Sequence, residues 1–100
     1  MRMKTTTKDG VLTLYPEGHV DSNNAKKFDA EVTEAVDASS PTSVIVDVQD
    51  LEYISSAGLR VLMKLMKRTR NSVKVINANP TVYEVFEITG FSELMDVSEA

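Results

Sequence analysis

The sequence predicts an α/β fold: a small mixed β-sheet, built from an N-terminal hairpin plus parallel strands, with helices packed against it. Three observations carry this. Two Thr/Val/Leu-rich segments flank Asp9-Gly10, three later segments repeat their apolar residues at helical spacing, and a strand–helix–strand run fits within residues 44–76.

Residues 3–8 and 11–16 are extended candidates, and Asp9-Gly10 between them is the two-residue signal of a tight hairpin turn. Pro16 lacks an N–H, so it ends the second strand or holds it at an edge. From Asn24 to Ala38, the residues Ala25, Phe28, Val32, Ala35 and Val36 fall on one helical face, with Lys26, Lys27, Asp29, Glu31, Glu34 and Asp37 on the other. Asp21, Ser22 or Asn23 can cap this helix, and Ser39-Ser40-Pro41 closes it. Val44 to Val48 is a β-branched run whose continuity predicts cover on both faces, as in parallel sheets. Residues 49–55 lead out of that strand. A second helix runs from about Ser56 to Arg70, with Leu59, Leu62, Leu65, Met66 and Thr69 inside and Arg60, Lys64, Lys67, Arg68 and Asn71 outside. Met63 and Met66 read as packing. Val73 to Ile76 is a further buried strand, which makes 44–76 a right-handed parallel crossover. Asn79 caps a third helix with Pro80 at its first position, and Val82, Val85, Phe86 and Thr89 form its stripe. Gly90 supplies a left-handed C-terminal cap, and Phe91 folds back on the last turn. Leu94 to Val97 is one more short strand.

Composition narrows the function. A chain of 100 residues fits one domain, 1–100, with one modest core. Cysteine is absent and His19 is the only histidine, so neither a thiolate site nor a histidine metal centre has its ligands, and no metal or other cofactor is expected. No apolar run reaches the roughly 18 residues that span a bilayer, and Met1 to Thr5 lack the apolar core of a signal peptide, so no membrane association and a cytoplasmic location are expected. One histidine and no cysteine leave few groups for turnover, so an enzyme is not expected and no residue is assigned as catalytic. The net charge of −4 argues against direct nucleic-acid binding. The charge is uneven: residues 60–74 hold six basic and no acidic side chains, and five acidic residues with no basic one follow Lys74. Such a face is either simply solvated or a docking surface for a protein. No aromatic residue lies among those bases, which ranks a nucleic-acid module last.

The informative stretch is Asp50-Leu51-Glu52-Tyr53-Ile54-Ser55-Ser56-Ala57-Gly58-Leu59-Arg60. A strand and loop end at a helix that starts with serines. The first amides of a helix are unpaired and carry the positive end of its dipole, so a serine there can cap it, and a phosphate there would be favoured. From the residues alone, plain capping is the simpler account. Ala57 and Gly58 are small and leave a neighbouring hydroxyl open. Gly58 inside a helix costs roughly 1 kcal/mol relative to alanine, which points to a close approach by the sheet or by a partner.

Ile54 to Leu59 resembles the signature loop of STAS-domain anti-sigma factor antagonists, Asp-Ser-Ser/Thr/Ala-Gly-Leu. Counted back from Gly58, the family's phosphorylated serine falls on Ser56, and Ala57 takes a position where Ser, Thr and Ala all occur. Ser55 stands where the family often has Asp, and it is the alternative acceptor. Gly18-His19-Val20-Asp21 resembles the family's Gly-x-hydrophobic-Asp turn, followed by polar Asn24, and Val44 to Val48 resembles its hydrophobic-Asp-hydrophobic third strand. The resemblance implies a partner surface of Gly18, Asp21, Asn24, Ser55, Ala57, Gly58 and Arg60, with Asp21 open between that role and a helix cap. Asp47 reads as a structural carboxylate bonding loop amides near the serines, since a buried unpaired charge costs too much. His19 reads as solvent-facing or satisfied.

The resemblance further implies a partner-switching cycle in a monomeric protein. Unphosphorylated protein binds a serine kinase that is also an anti-sigma factor, ATP-dependent phosphorylation of Ser56 releases it, and a PP2C-type phosphatase restores the serine, so that transcription is regulated. The alternative within the family is a STAS subunit of a lipid- or anion-transport complex, acting as a binding module.

Overall fold

The computed structural model describes residues 3–100. Met1 and Arg2, where the reading of the N-terminus begins, lie outside the described residues. The chain opens with β1 (Lys4–Lys8) and β2 (Val11–Tyr15), an antiparallel pair in register from Lys4–Tyr15 to Lys8–Val11. Asp9 and Gly10 join them at φ +52° and +81°, the two left-handed residues that a twist-matched two-residue turn requires. There follow β3 (Gly18–Val20), α1 (Ala25–Ser39), β4 (Ser43–Asp47), β5 (Leu51–Ile54), α2 (Ser56–Arg68), β6 (Val73–Ala78), α3 (Pro80–Ile88), a 3₁₀ turn (Phe91–Glu93) and β7 (Asp96–Glu99).

The five-stranded sheet has the order β1-β2-β4-β6-β7, and every pair beyond the hairpin is parallel. Register stacks Leu12 beside Val44 beside Val73, and Leu14 beside Val46 beside Val75, all buried on the face that meets the helices. Phe28, Val32 and Val36 of α1, Leu59, Leu62 and Leu65 of α2, and Val82 and Phe86 of α3 complete one contiguous core with them. Met66 is buried and Met63 packs partly buried against that core.

The other face corrects the expectation from Val44 to Val48. Along the row Thr13, Ile45, Lys74, the side chains are half-buried or exposed. The β-branched run reflects strand preference at Ile45, not cover on a second side. The last strand also sits two residues later than expected, because Met95 is drawn into the core and the turn that delivers it uses Leu94. Thr69 and Thr89 close helices instead of extending apolar stripes. Each hydroxyl donates to the carbonyl four residues back, to Leu65 at 2.9 Å and Val85 at 2.6 Å.

Two further strands emerge where turns or lead-out segments were expected: β3 and β5 form a separate two-stranded parallel sheet. Both parent strands break at one level. Pro16 cannot donate to a ladder, and Gly18 follows it at φ +77°. After the other strand, β4, a tight turn returns the Leu51 amide to the Val48 carbonyl at 3.0 Å. The Gly18 amide donates to the Asp50 carbonyl at 3.0 Å, so the two breaks are stitched together and the pair departs from the main sheet as a unit.

Asn79 fixes α3 against this small sheet. Its Oδ1 accepts from the Val82 amide at 2.8 Å and its Nδ2 donates to the Leu51 carbonyl at 2.9 Å. Asn79→Ala removes the cap and the tie together. It is expected to lower the thermal midpoint by about 4–8 °C, the equivalent of roughly 1 kcal/mol in a domain of this size. Asn79→Asp keeps the acceptor and loses the donor, so a melt by circular dichroism should place it between the two.

Candidate functional site

β3 and β5 run side by side and end together, Val20 opposite Ile54. The Ser55 amide then donates to the Val20 carbonyl at 2.8 Å, which brings the Gly18–Asp21 segment and the serines to one corner of the molecule. At that corner α2 starts. Ser55 is the N-cap, in extended backbone, and its Oγ accepts from the Gly58 amide at 3.4 Å. Ser56 is the first residue of the helix. It is exposed, and its hydroxyl makes no hydrogen bond among the described residues. The two serines therefore divide the work: Ser55 satisfies the helix end, and Ser56 presents an uncommitted hydroxyl beside the unpaired amides of the first turn.

Gly58 explains how the helix comes so close. A Cβ at this position would lie 2.7 Å from Ile54 Cγ1 and 2.8 Å from Val20 Cγ1. A side chain there must displace Ile54 or Val20, and α2 rests directly on the ends of β3 and β5. Gly58 is buried, so its close approach is to the sheet, and it takes no direct place on a partner surface. Ala57 is half-buried and Arg60 is exposed, one turn beyond Ser56.

The Gly18–Asn24 stretch is built around side-chain bonds of its own. Asp21 Oδ1 accepts from the amides of Asn23 and Asn24 at 2.8 and 3.2 Å, and Asn24 Oδ1 accepts from the Asp21 amide at 2.8 Å. Asn24 Nδ2 donates to the His19 carbonyl at 2.9 Å. Of the expected cap candidates Asp21, Ser22 and Asn23, Asp21 does the capping: its Oδ1 takes amides of the first turn, Asn24 Oδ1 takes its amide in return, and the Ala25 amide donates to its carbonyl. Asn24, directly before the regular helix at Ala25, makes no side-chain cap of its own. Gly18 is half-buried at the strand break. His19 is solvent-facing, and its Nε2 lies 3.3 Å from Asp21 Oδ2. Sequence reasoning passed over Tyr53. It pairs with His19 across the small sheet and is 44% exposed, an aromatic ring on the serine corner. Adjacent exposed Glu52 and Tyr53 break the alternation that would have marked β5.

Asp47 supports a different turn from the one expected. Its Oδ1 accepts from the Gln49 amide and from Asn77 Nδ2, both at 3.1 Å, so it holds the β4–β5 connection and ties it to β6, away from the serine amides. The basic face of residues 60–74 is also less open than its composition implies. Lys64 pairs with Asp29 at 3.1 Å, Arg68 with Asp37, and Lys74 reaches Asp96 at 3.9 Å.

The STAS domain model matches residues 2–100, nearly the full length of the chain. The chain belongs to the STAS domain family. BtrV of Bordetella bronchiseptica, whose name places it among the anti-sigma factor antagonists, is 35% identical to this STAS domain over 103 residues, spanning 100% of the chain and 88% of BtrV. Among solved structures, an anti-sigma factor antagonist from Mycobacterium paratuberculosis superposes with a TM-score of 0.87 at 20% identity, covering 99% of this STAS domain and 86% of that chain. The anti-sigma factor antagonist SpoIIAA in its unphosphorylated form gives 0.78 at 18% identity, covering 96% and 87%, and its phosphorylated form from Bacillus gives 0.69. These likenesses establish the mixed α/β STAS fold seen here.

Proposed function

We propose that this STAS domain is a phosphorylatable partner-switching protein, an anti-sigma factor antagonist that binds a serine kinase/anti-sigma factor when Ser56 is free and releases it when Ser56 carries phosphate. One observation carries the reading: Ser56 stands at the start of α2 with an exposed, uncommitted hydroxyl, while Ser55 does the capping. The name of BtrV and the two phosphorylation states of SpoIIAA support it.

In the transfer step the Ser56 oxygen attacks the γ-phosphorus of ATP. A new O–P bond forms, the bond to the β-phosphate bridging oxygen breaks, ADP leaves, and the hydroxyl proton passes to a base of the kinase. This chain then needs no catalytic group of its own, and it acts as a binding protein in the cytoplasm. A PP2C-type phosphatase returns the serine by hydrolysis. The product is tolerated locally, because the dianion sits at the positive end of α2. The partner surface consists of Gly18, Asp21 and Asn24 with Ser55, Ala57 and Arg60, and Tyr53 adds an aromatic anchor of the kind that dominates interface energetics.

Incubation with the cognate kinase and ATP, followed by mass-spectrometric mapping, should place one phosphate on Ser56. Ser56→Ala should abolish the label, and Ser55→Ala should retain it. Label on Ser55 alone would move the acceptor, and no label on either serine would end the reading.

A further inference from the structure

We infer that Arg60 receives the Ser56 phosphate within the same chain, so that phosphorylation withdraws this arginine from the partner surface. The inference rests on Ser56 being the phosphorylated residue, and it starts from a row of side chains along α2. Ser56, Arg60, Lys64 and Arg68 are spaced by four residues and share one helix face, each within reach of the next. The last two are committed to α1, Lys64 to Asp29 and Arg68 to Asp37. Arg60, the first cation of the row, makes no ion pair among the described residues. The reason is visible across the groove. Arg60 shares a shallow depression with Ala25, Lys26, Asp29, Ala57 and Lys64, and α1 offers it there only alanine, another cation and an aspartate already bound to Lys64. The ladder of pairs between α1 and α2 therefore lacks an acid at its first rung. A phosphate on Ser56, one turn away, supplies that acid on α2 itself.

Among the described residues, the charged groups lining the depression are Lys26 and Asp29 from α1 and Arg60 and Lys64 from α2. His19 and Asp21 face one another on β3 and the turn after it, and Glu52 is exposed on β5. Arginine suits the role because its planar fork can engage two phosphate oxygens at once. In the unphosphorylated protein the same fork is available to a carboxylate of the partner, so one event adds a dianion and removes a donor.

The test uses the full chain with phosphoserine genetically encoded at position 56, so it depends on no kinase. The second ionisation of a serine phosphate, ordinarily near pH 6, is followed by ³¹P NMR during a pH titration. A cation held against the phosphate favours the dianion and lowers that pKa. Arg60→Ala is expected to raise it by about half a pH unit relative to the parent phosphoprotein, and Arg60→Lys to recover part of the difference. The parent and Arg60→Ala titrating together would overturn the inference, and so would Lys26→Ala alone producing the whole shift. Failure of a kinase to label Ser56 would count against the function proposed above and leave this titration as it stands.

Discussion

Gly58→Val is expected to lower the thermal midpoint by more than about 10 °C, and to do so through two residues that hold the functional corner. The added Cβ alone would come within 2.8 Å of both Ile54 Cγ1 and Val20 Cγ1, closer than carbon atoms pack. Neither neighbour can yield cheaply. Both are fully buried, and both contacts are made near the branch of a β-branched side chain with few rotamers. Val20 and Ile54 also pair with each other at the ends of β3 and β5, so displacing one displaces the pair. Overpacking of this kind costs about 1–3 kcal/mol. For Gly58→Ala, roughly 1 kcal/mol returns as helix propensity, because a glycine leaves the helix. The alanine variant should therefore lose only a few degrees. Valine adds two methyl groups to the same closed space and gains less propensity, so the full penalty shows. At 4–8 °C per kcal/mol for a domain of this size, the difference is large on a circular dichroism melt. A valine variant melting with the parent would mean that the space beneath Gly58 opens at no cost, and that α2 is not seated on these strand ends.

The same glycine shows how much of the site could be read from the chain alone. Its helical position and the cost that glycine carries there point to a close approach, but not to what approaches. Val20 and Ile54 lie 38 and 4 residues away, and their meeting depends on β3 pairing with β5, two strands of three and four residues. Segments that short carry too little periodicity to declare themselves, and Glu52 and Tyr53 side by side mask what alternation there is. Local signals fared better because their physics is local. Asp9-Gly10, Asn79-Pro80 and Gly90 each set backbone angles or caps within a few residues, and each stands where expected. The division between Ser55 and Ser56 lies between these cases. Both serines are visible at a helix start, and only the position of the first helical residue decides which hydroxyl is spent on the cap. The ion pairs that take up Lys64 and Arg68 join residues 35 and 31 positions apart, and no pattern along the chain announces them.

Ser56→Asp should weaken binding to the proposed kinase/anti-sigma partner by about 100-fold, a loss of ~2.7 kcal/mol, while Ser56→Ala binds like the parent. The alanine variant removes an exposed hydroxyl that has no partner among the described residues, so nothing buried is left unsatisfied and no charge appears. The aspartate places a negative charge at the first position of α2. Within the free protein that charge faces the positive end of the helix dipole, worth about 0.3–1 kcal/mol in its favour, so the variant should melt no lower than the parent. In the proposed complex the same carboxylate must shed water at the interface, and a desolvated charge that its surroundings do not fully compensate costs several kcal/mol. Stability and affinity should then move in opposite directions, a signature that misfolding cannot imitate. Titration calorimetry with the purified partner reads the affinity, and a melt of the same samples reads the fold. The switch would need no rearrangement of the domain, because the corner is already rigid: Ser55 is tied to Val20, and Gly58 is seated on Ile54. Equal affinity of the alanine and aspartate variants would show that charge at Ser56 does not control the partner.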